Sequence, residues 1–262
     1  MSRKQLKADT HAISTLAIAL IIIIVVGSVV TVVVATVFLG FWKPFGRIVG
    51  SGTFDTEKKD FTDFTIVEVG WGFEVEINQS DSYSINITAD DNMFDYIEVS
   101  QTGNTLTIGL KWGYSYQNTT LKAEITLPNL YELKLSGGTR GIIEEFTSSH
   151  EFALELSGGS HLSGDFTTGG DAQFALSGGS HLIGLDGAAN DLTVSCSGGS
   201  HLDLSDFRVH DATVTLSGGS HATINLDSRL DGDLSGGSHL SYLGSPTSVD
   251  VIKSGGSTYG PQ

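Results

Sequence analysis

The sequence predicts an all-β protein: a parallel β-helix, or solenoid, of about seven coils of ~20 residues each, behind a strand-rich N-terminal cap and one transmembrane helix. The tripeptide Ser-Gly-Gly occurs seven times, beginning at residues 136, 157, 177, 197, 217, 235 and 254. Apolar and polar residues alternate before most of these copies. Ahead of them, residues 13–42 form a long apolar stretch without any charged residue. The first two observations predict the solenoid, and the third predicts the membrane helix.

The apolar stretch from Ile13 to Trp42 is longer than the ~20 residues that a membrane-spanning helix needs. It also exceeds the ~7 to 15 apolar residues of a secretory signal peptide, so we expect an uncleaved anchor. A pilin-like leader is the alternative. Three basic residues precede the stretch, at positions 3, 4 and 7, and two follow it, at positions 43 and 47. This bias favours a cytoplasmic segment 1–12, a helix 13–42, a linker 43–52 and an extracytoplasmic β domain in the cell envelope.

The composition narrows the classes of partner. The chain has 262 residues, with 14 Lys and Arg against 30 Asp and Glu, which gives a net charge of −16. Nucleic acids and anionic lipid surfaces attract basic proteins, so this balance disfavours both as partners. A single cysteine excludes an intrachain disulfide and a Cys-rich metal site. Three acceptor sequons for N-glycosylation, at Asn78, Asn86 and Asn118, fit an extracytoplasmic domain.

Residues 53–130 form the predicted cap. Four stretches alternate apolar and polar residues, as half-buried strands do. Their inward faces are predicted to be Phe73, Val75 and Ile77; Tyr83, Ile85 and Ile87; Leu106, Ile108 and Leu110; and Leu121, Ala123, Ile125 and Leu127. The stretch "DDNMFDYI" is the only helix-like piece and is at most two turns long.

Residues 131–259 form the predicted solenoid. A period of two that returns in every coil indicates stacked parallel strands with one buried face. The predicted inward residues before the Ser-Gly-Gly copies are Tyr131, Leu133 and Leu135; Phe152, Leu154 and Leu156; Ala172, Phe174 and Leu176; Leu192, Val194 and Cys196; and Ala212, Val214 and Leu216. A further inward position follows the histidine, at Leu162, Leu182, Leu202, Ala222 and Leu240.

Five of the copies read "SGGSH", and the two glycines predict a corner. A corner that recurs with little room between coils needs positive φ or a missing Cβ, and glycine supplies both. The flanking serines can bond to the backbone of the turn or to the next serine along the stack. None of this chemistry requires a ligand.

The histidines that follow the corners are predicted to stack in a column, which contains His161, His181, His201, His221 and His239, with Arg140 before them and Thr258 after them. Neighbours about 4.8 Å apart could share a metal ion only in pairs, whereas a metal site needs two to four converging ligands. We therefore favour imidazole stacking, and keep pairwise binding of a divalent metal and specific ligand recognition as alternatives. Catalysis needs one distinct nucleophile and base, which five near-identical copies do not provide.

Other chemistry-bearing residues have structural interpretations. Cys196 stands where other coils have leucine, so we expect a buried small hydrophobe. The acidic pairs Glu144–Glu145 and Asp90–Asp91 are expected to be solvated turn residues rather than calcium or catalytic groups. A set of aromatic residues in the cap could form a sugar-stacking face or pack against the first coil. This set is Trp71, Trp112, Tyr114 and Tyr116.

The segment from Val49 to Tyr259 carries a family resemblance. Its order of strand motifs, the entry "LPNLYELKLSGG" and the late "SYLGSP" resemble the putative auto-transporter adhesin, head GIN domain family, DUF2807. The resemblance implies a β-helical envelope or secreted protein and carries no catalytic residues. Together with the usual twist preference, it implies a right-handed coil. The chain departs from the family pattern in its Gly-Ser-His corners and its N-terminal anchor.

These observations predict a membrane-anchored, surface-exposed, non-enzymatic module, adhesin-like or structural, that needs no cofactor. Another cell-surface protein or a polysaccharide is the expected partner. Two alternatives remain: a metal- or pH-responsive surface protein that acts through the histidine column, and a polysaccharide-active β-helix enzyme. The enzyme would need unique acids and bases on one face, and the sequence shows no such cluster.

Overall fold

The computed structural model describes residues 46–262. The predicted cytoplasmic segment, the predicted membrane helix and the first three residues of the predicted linker lie outside these described residues. Among residues 46–262, no helix has the length and apolar character that crossing a bilayer requires.

Within that range the chain forms 23 β-strands and one short 3₁₀ helix over Asp91–Tyr96. Regular alternation of buried and exposed residues along most strands accounts for this choice of structure. In chain order the strands are β1 (Gly46–Val49), β2 (Phe54–Lys59), β3 (Ile66–Val69), β4 (Glu74–Gln79), β5 (Ser84–Asp90), β6 (Ile97–Thr102), β7 (Thr105–Leu110), β8 (Tyr114–Gln117), β9 (Leu121–Leu127), β10 (Glu132–Leu135), β11 (Arg140–Ser148), β12 (Phe152–Leu156), β13 (His161–Thr168), β14 (Ala172–Leu176), β15 (His181–Ala188), β16 (Leu192–Cys196), β17 (His201–Val209), β18 (Ala212–Leu216), β19 (His221–Leu226), β20 (Arg229–Leu234), β21 (His239–Gly244), β22 (Ser248–Lys253) and β23 (Thr258–Pro261).

The chain divides into two compact units. The first includes, among described residues, Gly46, Arg47 and Gly113–Ser115. The second comprises Ile48–Trp112 and Tyr116–Gln262. The solenoid lies entirely in this second unit.

Two long sheets make up the solenoid. The ten-stranded sheet has the order β22-β20-β18-β16-β14-β12-β10-β3-β7-β6, and the eleven-stranded sheet has the order β2-β5-β9-β4-β11-β13-β15-β17-β19-β21-β23. Each coil contributes one strand to each sheet, and all strands from β10 onward pair in parallel. A Ser-Gly-Gly corner carries the chain from the ten-stranded sheet to the eleven-stranded one. Strands β1 and β8 form a separate two-stranded sheet.

The number of turns is smaller than the sequence predicted. Seven Ser-Gly-Gly corners are present, but six complete turns separate the first corner from the last. The solenoid therefore has about six turns rather than about seven coils. The predicted strand-rich cap is present, and antiparallel pairs mark it: β2 with β5, β5 with β9, and β6 with β7.

The core lies between the two sheets. Nearly all the predicted inward residues of the cap and the solenoid are buried; Tyr83 and Tyr131 are only partly buried. Phenylalanines of both sheets also pack there: the Phe152 and Phe166 rings stack with centroids 3.9 Å apart, and Phe174 contacts Phe207 at 5.7 Å. These large rings fill the space between the sheets, so each coil is stabilised mainly by its neighbours.

Candidate functional site

The Ser-Gly-Gly corners are left-handed turns. Both glycines of every corner have positive φ, for example +66° at Gly198 and +76° at Gly199. Two successive residues of positive φ define a type I′ turn, a conformation that glycine adopts without steric cost. The sequence-based interpretation of the glycines as corner residues is confirmed.

The two glycines of a corner differ in the space around them. A Cβ on Gly198 would lie 3.1 Å from the backbone nitrogen of Gly178 in the preceding coil. A Cβ on Gly199 would meet no atom within 4 Å. The first glycine is therefore required by both its φ and the close approach of the coils, and the second by its φ alone.

The serines of a corner differ as well. The second serine is buried, and its hydroxyl donates to the carbonyl oxygen of the first serine across the turn, as Ser200 does to Ser197 at 2.7 Å. The same bond recurs at Ser160, Ser180, Ser220, Ser238 and Ser257, and Thr139 makes it in the first copy. The bond runs to the turn's own backbone, which was one of the two predicted possibilities.

Trp71 lies in a further corner, which does not contain the Ser-Gly-Gly motif. Val69 pairs with Leu135 and Glu74 with Arg140, so residues 70–73, "GWGF", take the place of residues 136–139. Trp71 stands where the later corners have their first glycine, and its φ is +66°. This conformation is costly for a side chain with a Cβ, so the tryptophan is held there by its surroundings. No later corner would have room for it, because the preceding coil approaches too closely.

The predicted histidine column is present. His161, His181, His201, His221 and His239 pair in register on consecutive strands of the eleven-stranded sheet, with Arg140 and Thr258 at the two ends. The rings of His161 and His181 stack with centroids 4.7 Å apart and planes 5° from parallel. The other neighbouring rings are tilted, with centroids 6.0 to 6.2 Å apart.

The electrostatics of the column favour the neutral imidazole of His201 at its centre. Burial lowers the pKa of His201, and the neighbouring His221 and His181 lower it further, against a smaller opposing effect of Asp203. The Nδ1 atom of His181 is buried without a hydrogen-bond partner. At the far end, Nδ1 of His239 lies 2.6 Å from the hydroxyl of Thr258.

The face-to-face packing of His161 and His181 does not direct their nitrogens at a common point, which is what a shared metal ion requires. Among residues 46–262, no group of three or more His, Cys, Asp or Glu side chains could hold a metal ion. The arrangement of the column is that of a packed ladder on the outer surface of the sheet.

A groove lies at the opposite side of the coils, where the chain returns to the ten-stranded sheet. Its volume is about 930 Å³. The rings of Tyr131 and His150 form one wall, with centroids 4.8 Å apart. Polar side chains of four consecutive coils complete it: Glu132, Ser149, Glu151, Asp171, Gln173 and Thr193. An aromatic surface with carboxylates and an amide around it can stack on a sugar ring and bond to its hydroxyls.

The sequence indicated neither of the two aromatic residues that form this wall of the groove. Tyr131 was predicted to face the core but is only partly buried. His150 lies outside the repeated motif, and only the folding of successive coils brings it against Tyr131. One signal was available: His150 and His210 hold equivalent positions two residues before β12 and β18, outside the repeated motif.

Cys196 and the acidic pair Glu144–Glu145 were also singled out in the sequence. Cys196 pairs with Leu176 and Leu216 and is buried, and burial raises the pKa of its thiol to about 12. Its interpretation as a core residue is confirmed. Glu144 and Glu145 are exposed and form a β-bulge, with Glu145 at a φ of +46°.

Asp90 was predicted to be a solvated turn residue, and this prediction is wrong. Asp90 is buried, and its two carboxylate oxygens accept hydrogen bonds from the backbone N–H groups of Gly52 and Thr120, each at 2.7 Å. These two N–H groups satisfy the charge of the carboxylate. Their hydrogen bonds connect the segments around residues 52 and 120 through Asp90. Asp91 is exposed, as predicted, and accepts a hydrogen bond from the hydroxyl of Ser51.

The three glycosylation sequons lie in different surroundings. Asn118 is exposed, with a φ of +50°, in the loop after β8. Asn86 is half-buried on β5, between two paired strands, and Asn78 is half-buried on β4. Glycosylation at these positions stays a prediction.

The chain is similar to a known family. A family model described as "Putative auto-transporter adhesin, head GIN domain", DUF2807, matches residues 63–246. The chain matches no curated protein sequence. The family model covers all of the solenoid except its last turn.

Several solved structures share the fold. One is described as a putative adhesin from Bacteroides fragilis NCTC 9343, with a TM-score of 0.75 and 21% identity, covering 82% of this chain and 100% of that one. Another is a putative adhesin from Parabacteroides merdae ATCC 43184, with a TM-score of 0.64 and 19% identity, covering 83% and 99%. A third is a putative lipid binding protein from Parabacteroides distasonis ATCC 8503, with a TM-score of 0.62 and 20% identity, covering 82% and 99%. At these identities the likeness shows the fold.

Proposed function

Because the chain belongs to the putative auto-transporter adhesin, head GIN domain family, we propose that it is a non-enzymatic, adhesin-like recognition module displayed outside the cell on a membrane anchor. The similar solved structures include proteins described as putative adhesins. The corner residues also support a binding role over catalysis. Five of the seven corners carry the same serine and histidine, whereas a catalytic nucleophile and its base form a distinct set.

The observation that carries the proposal is the groove beside Tyr131 and His150. Its volume of about 930 Å³ suits a small ligand or a segment of a polymer. The aromatic pair supplies an apolar surface, and Glu132, Glu151 and Gln173 supply acceptors and donors around it. A polysaccharide presents both ring faces and hydroxyl groups, so it matches this chemistry better than nucleic acid, which the net charge of −16 repels.

A glycan array tests this function with the full chain in detergent. We expect binding to a subset of neutral or amino-sugar oligosaccharides. Tyr131→Ala removes the stacking surface and should weaken that binding by about tenfold or more, an effect on the order of 1.4 kcal/mol. Tyr131→Phe keeps the ring and should retain most of the affinity.

The matched control is Thr213→Ala. Thr213 pairs with Thr193 on the same sheet face but lies one coil beyond the groove. Its loss should leave binding unchanged. Absence of binding to every glycan, or equal binding by the wild-type and Tyr131→Ala proteins, would contradict the proposal.

The membrane anchor is a separate part of the proposal. The charge-free stretch 13–42 supports it. Full-length chain expressed in cells should stay in the membrane fraction after a high-pH carbonate wash, and added protease should digest the β domain from outside intact cells. Release of the chain by the wash would contradict the anchor without affecting the groove.

A further inference from the structure

Four aromatic side chains of the second unit lie in the cap, and we call them the aromatic patch: Trp71, Tyr96 and Tyr116, whose rings contact one another through Tyr116, and Trp112. The ring of Tyr116 contacts Trp71 edge-on at 6.4 Å and Tyr96 at 6.1 Å. Its hydroxyl donates to the carbonyl oxygen of Lys111 at 2.7 Å, and Lys111 precedes Trp112 in the chain. Tyr116 thus joins the rings of Trp71 and Tyr96, and its hydroxyl is bonded to the residue before Trp112.

The patch presents large aromatic surface to the solvent. Trp112 is 81% exposed and Trp71 is 46% exposed. Trp71 also keeps a φ of +66°, which is unfavourable for any residue with a Cβ. An indole ring that stays exposed contributes no burial free energy to folding, and Trp71 also has an unfavourable φ, so the retention of both rings suggests a function for the surface that they form.

A short covalent tether links the unit that carries this patch to the predicted membrane helix. The apolar stretch ends at Trp42, and Ile48 follows six residues later. Six extended residues span at most about 20 Å, so the covalent chain keeps Ile48 within that distance of Trp42. At the other end of β1, the N–H of Gly50 donates to the carbonyl oxygen of Gln117, directly after Tyr116. Within the second unit, the segment that carries the patch is therefore hydrogen-bonded to the residue that follows β1.

Tryptophan and tyrosine concentrate at the level of lipid headgroups, where their apolar bodies and polar tips are both satisfied. We propose that the aromatic patch inserts into the headgroup layer of the bilayer to which the chain is anchored. The proposal rests on the membrane anchor of the proposed function. The overall charge of −16 makes zwitterionic headgroups the matching surface, because anionic lipids would repel the rest of the domain.

Tryptophan fluorescence tests the proposal in the full chain. The protein has three tryptophans, and Trp42→Phe leaves Trp71 and Trp112 as the only reporters. The double variant Trp42→Phe/Trp71→Phe isolates Trp112. In phosphatidylcholine vesicles, Trp112 should emit at shorter wavelength than in an unfolded chain, resist iodide and lose emission when brominated acyl chains replace ordinary ones.

A control reporter is Ile183→Trp in a chain without the three native tryptophans. Ile183 lies on the outer surface of the solenoid. This residue is 45% exposed, a fraction similar to the 46% of Trp71. Its emission should be quenched by iodide and not by brominated lipid. Equal lipid quenching at both positions would contradict a specific role of the patch.

The remaining outcomes separate the two proposals. A chain that stays in the vesicles after a carbonate wash while Trp112 is quenched by iodide alone overturns the patch proposal and keeps the anchor. A chain that washes off overturns both. A change in Trp112 emission on addition of oligosaccharides, without lipid quenching, would overturn the lipid contact and assign the patch to carbohydrate.

Discussion

The two glycines of a corner differ in what surrounds them, and this difference predicts unequal tolerance to alanine. Gly199→Ala adds only the cost of a Cβ at positive φ, about 1 kcal/mol of unfolding free energy. Gly198→Ala adds the same cost and a contact at 3.1 Å with the backbone nitrogen of Gly178, so it should destabilise the protein more. Thermal unfolding of the two variants measures the difference.

Gly199→Asn is the control for this pair, because asparagine tolerates positive φ better than alanine does. It should recover part of the loss seen with Gly199→Ala. Equal loss of stability in Gly198→Ala and Gly199→Ala would show that the coils can separate at the corner, contrary to the close approach in the structure.

The lowered pKa of His201 predicts a pH dependence of stability. The folded protein binds a proton at His201 less readily than the unfolded chain does, so the stabilisation is complete above the ordinary histidine pKa of about 6.5. It is lost as the pH falls below that value and through the lower folded pKa. The melting temperature should therefore decrease between pH about 7.5 and 5.

His201→Gln should reduce this decrease, because glutamine does not titrate. His150→Gln serves as the control, since His150 is an exposed histidine outside the column. Urea or thermal unfolding at several pH values gives the comparison. A pH dependence that is identical in wild type and His201→Gln would mean that the packing of the column does not affect proton binding.

At the scale of strands and turns, a coil is the unit of stability. Each coil contacts its neighbours, so removal of one whole coil should leave the others paired. Deletion of residues 177–196 joins Leu176 directly to Ser197. Ser197 has the same position in its coil as Ser177 has in the preceding coil, so the repeat continues unchanged across the junction. We expect a cooperatively folded β protein whose melting temperature decreases by only a few degrees, measured by circular dichroism.

Deletion of residues 177–186 is the matched control. It removes half a coil and would place a strand of one sheet in the position of the other, so it should abolish cooperative unfolding. A whole-coil deletion that is as disruptive as the half-coil deletion would contradict the nearest-neighbour stability of the solenoid.

The sequence predicted the strands, because the alternation of apolar residues and the spacing of the glycines depend on local geometry alone. It did not predict the corner at residues 70–73, since "GWGF" shares only one glycine position with the motif. It also missed the buried Asp90, because the donors that satisfy this carboxylate come from residues 38 and 30 positions away. The groove at Tyr131 and His150 depends on contacts between coils, which no local pattern encodes.

For the whole molecule, excess negative charge opposes the compact fold. The net charge is −16, and Glu151, Asp171, Asp191 and Asp211 occupy equivalent positions in successive coils. Strands of one sheet lie about 4.8 Å apart, well within the screening length of about 30 Å at 0.01 M salt. Like charges at this spacing repel one another, and the unfolded chain relieves that repulsion.

Added salt should therefore stabilise the protein. We expect the melting temperature to rise as sodium chloride increases from about 0.01 M to about 0.5 M, because the screening length shortens to a few ångströms. Asp191→Asn should raise the melting temperature at low salt and weaken its salt dependence. Asparagine keeps an oxygen that can accept the hydrogen bond from the N–H of Asp211, so the variant removes charge with little loss of structure. A melting temperature that is independent of salt, or that falls with it, would show that the acidic surface is already balanced by the basic groups of the folded domain.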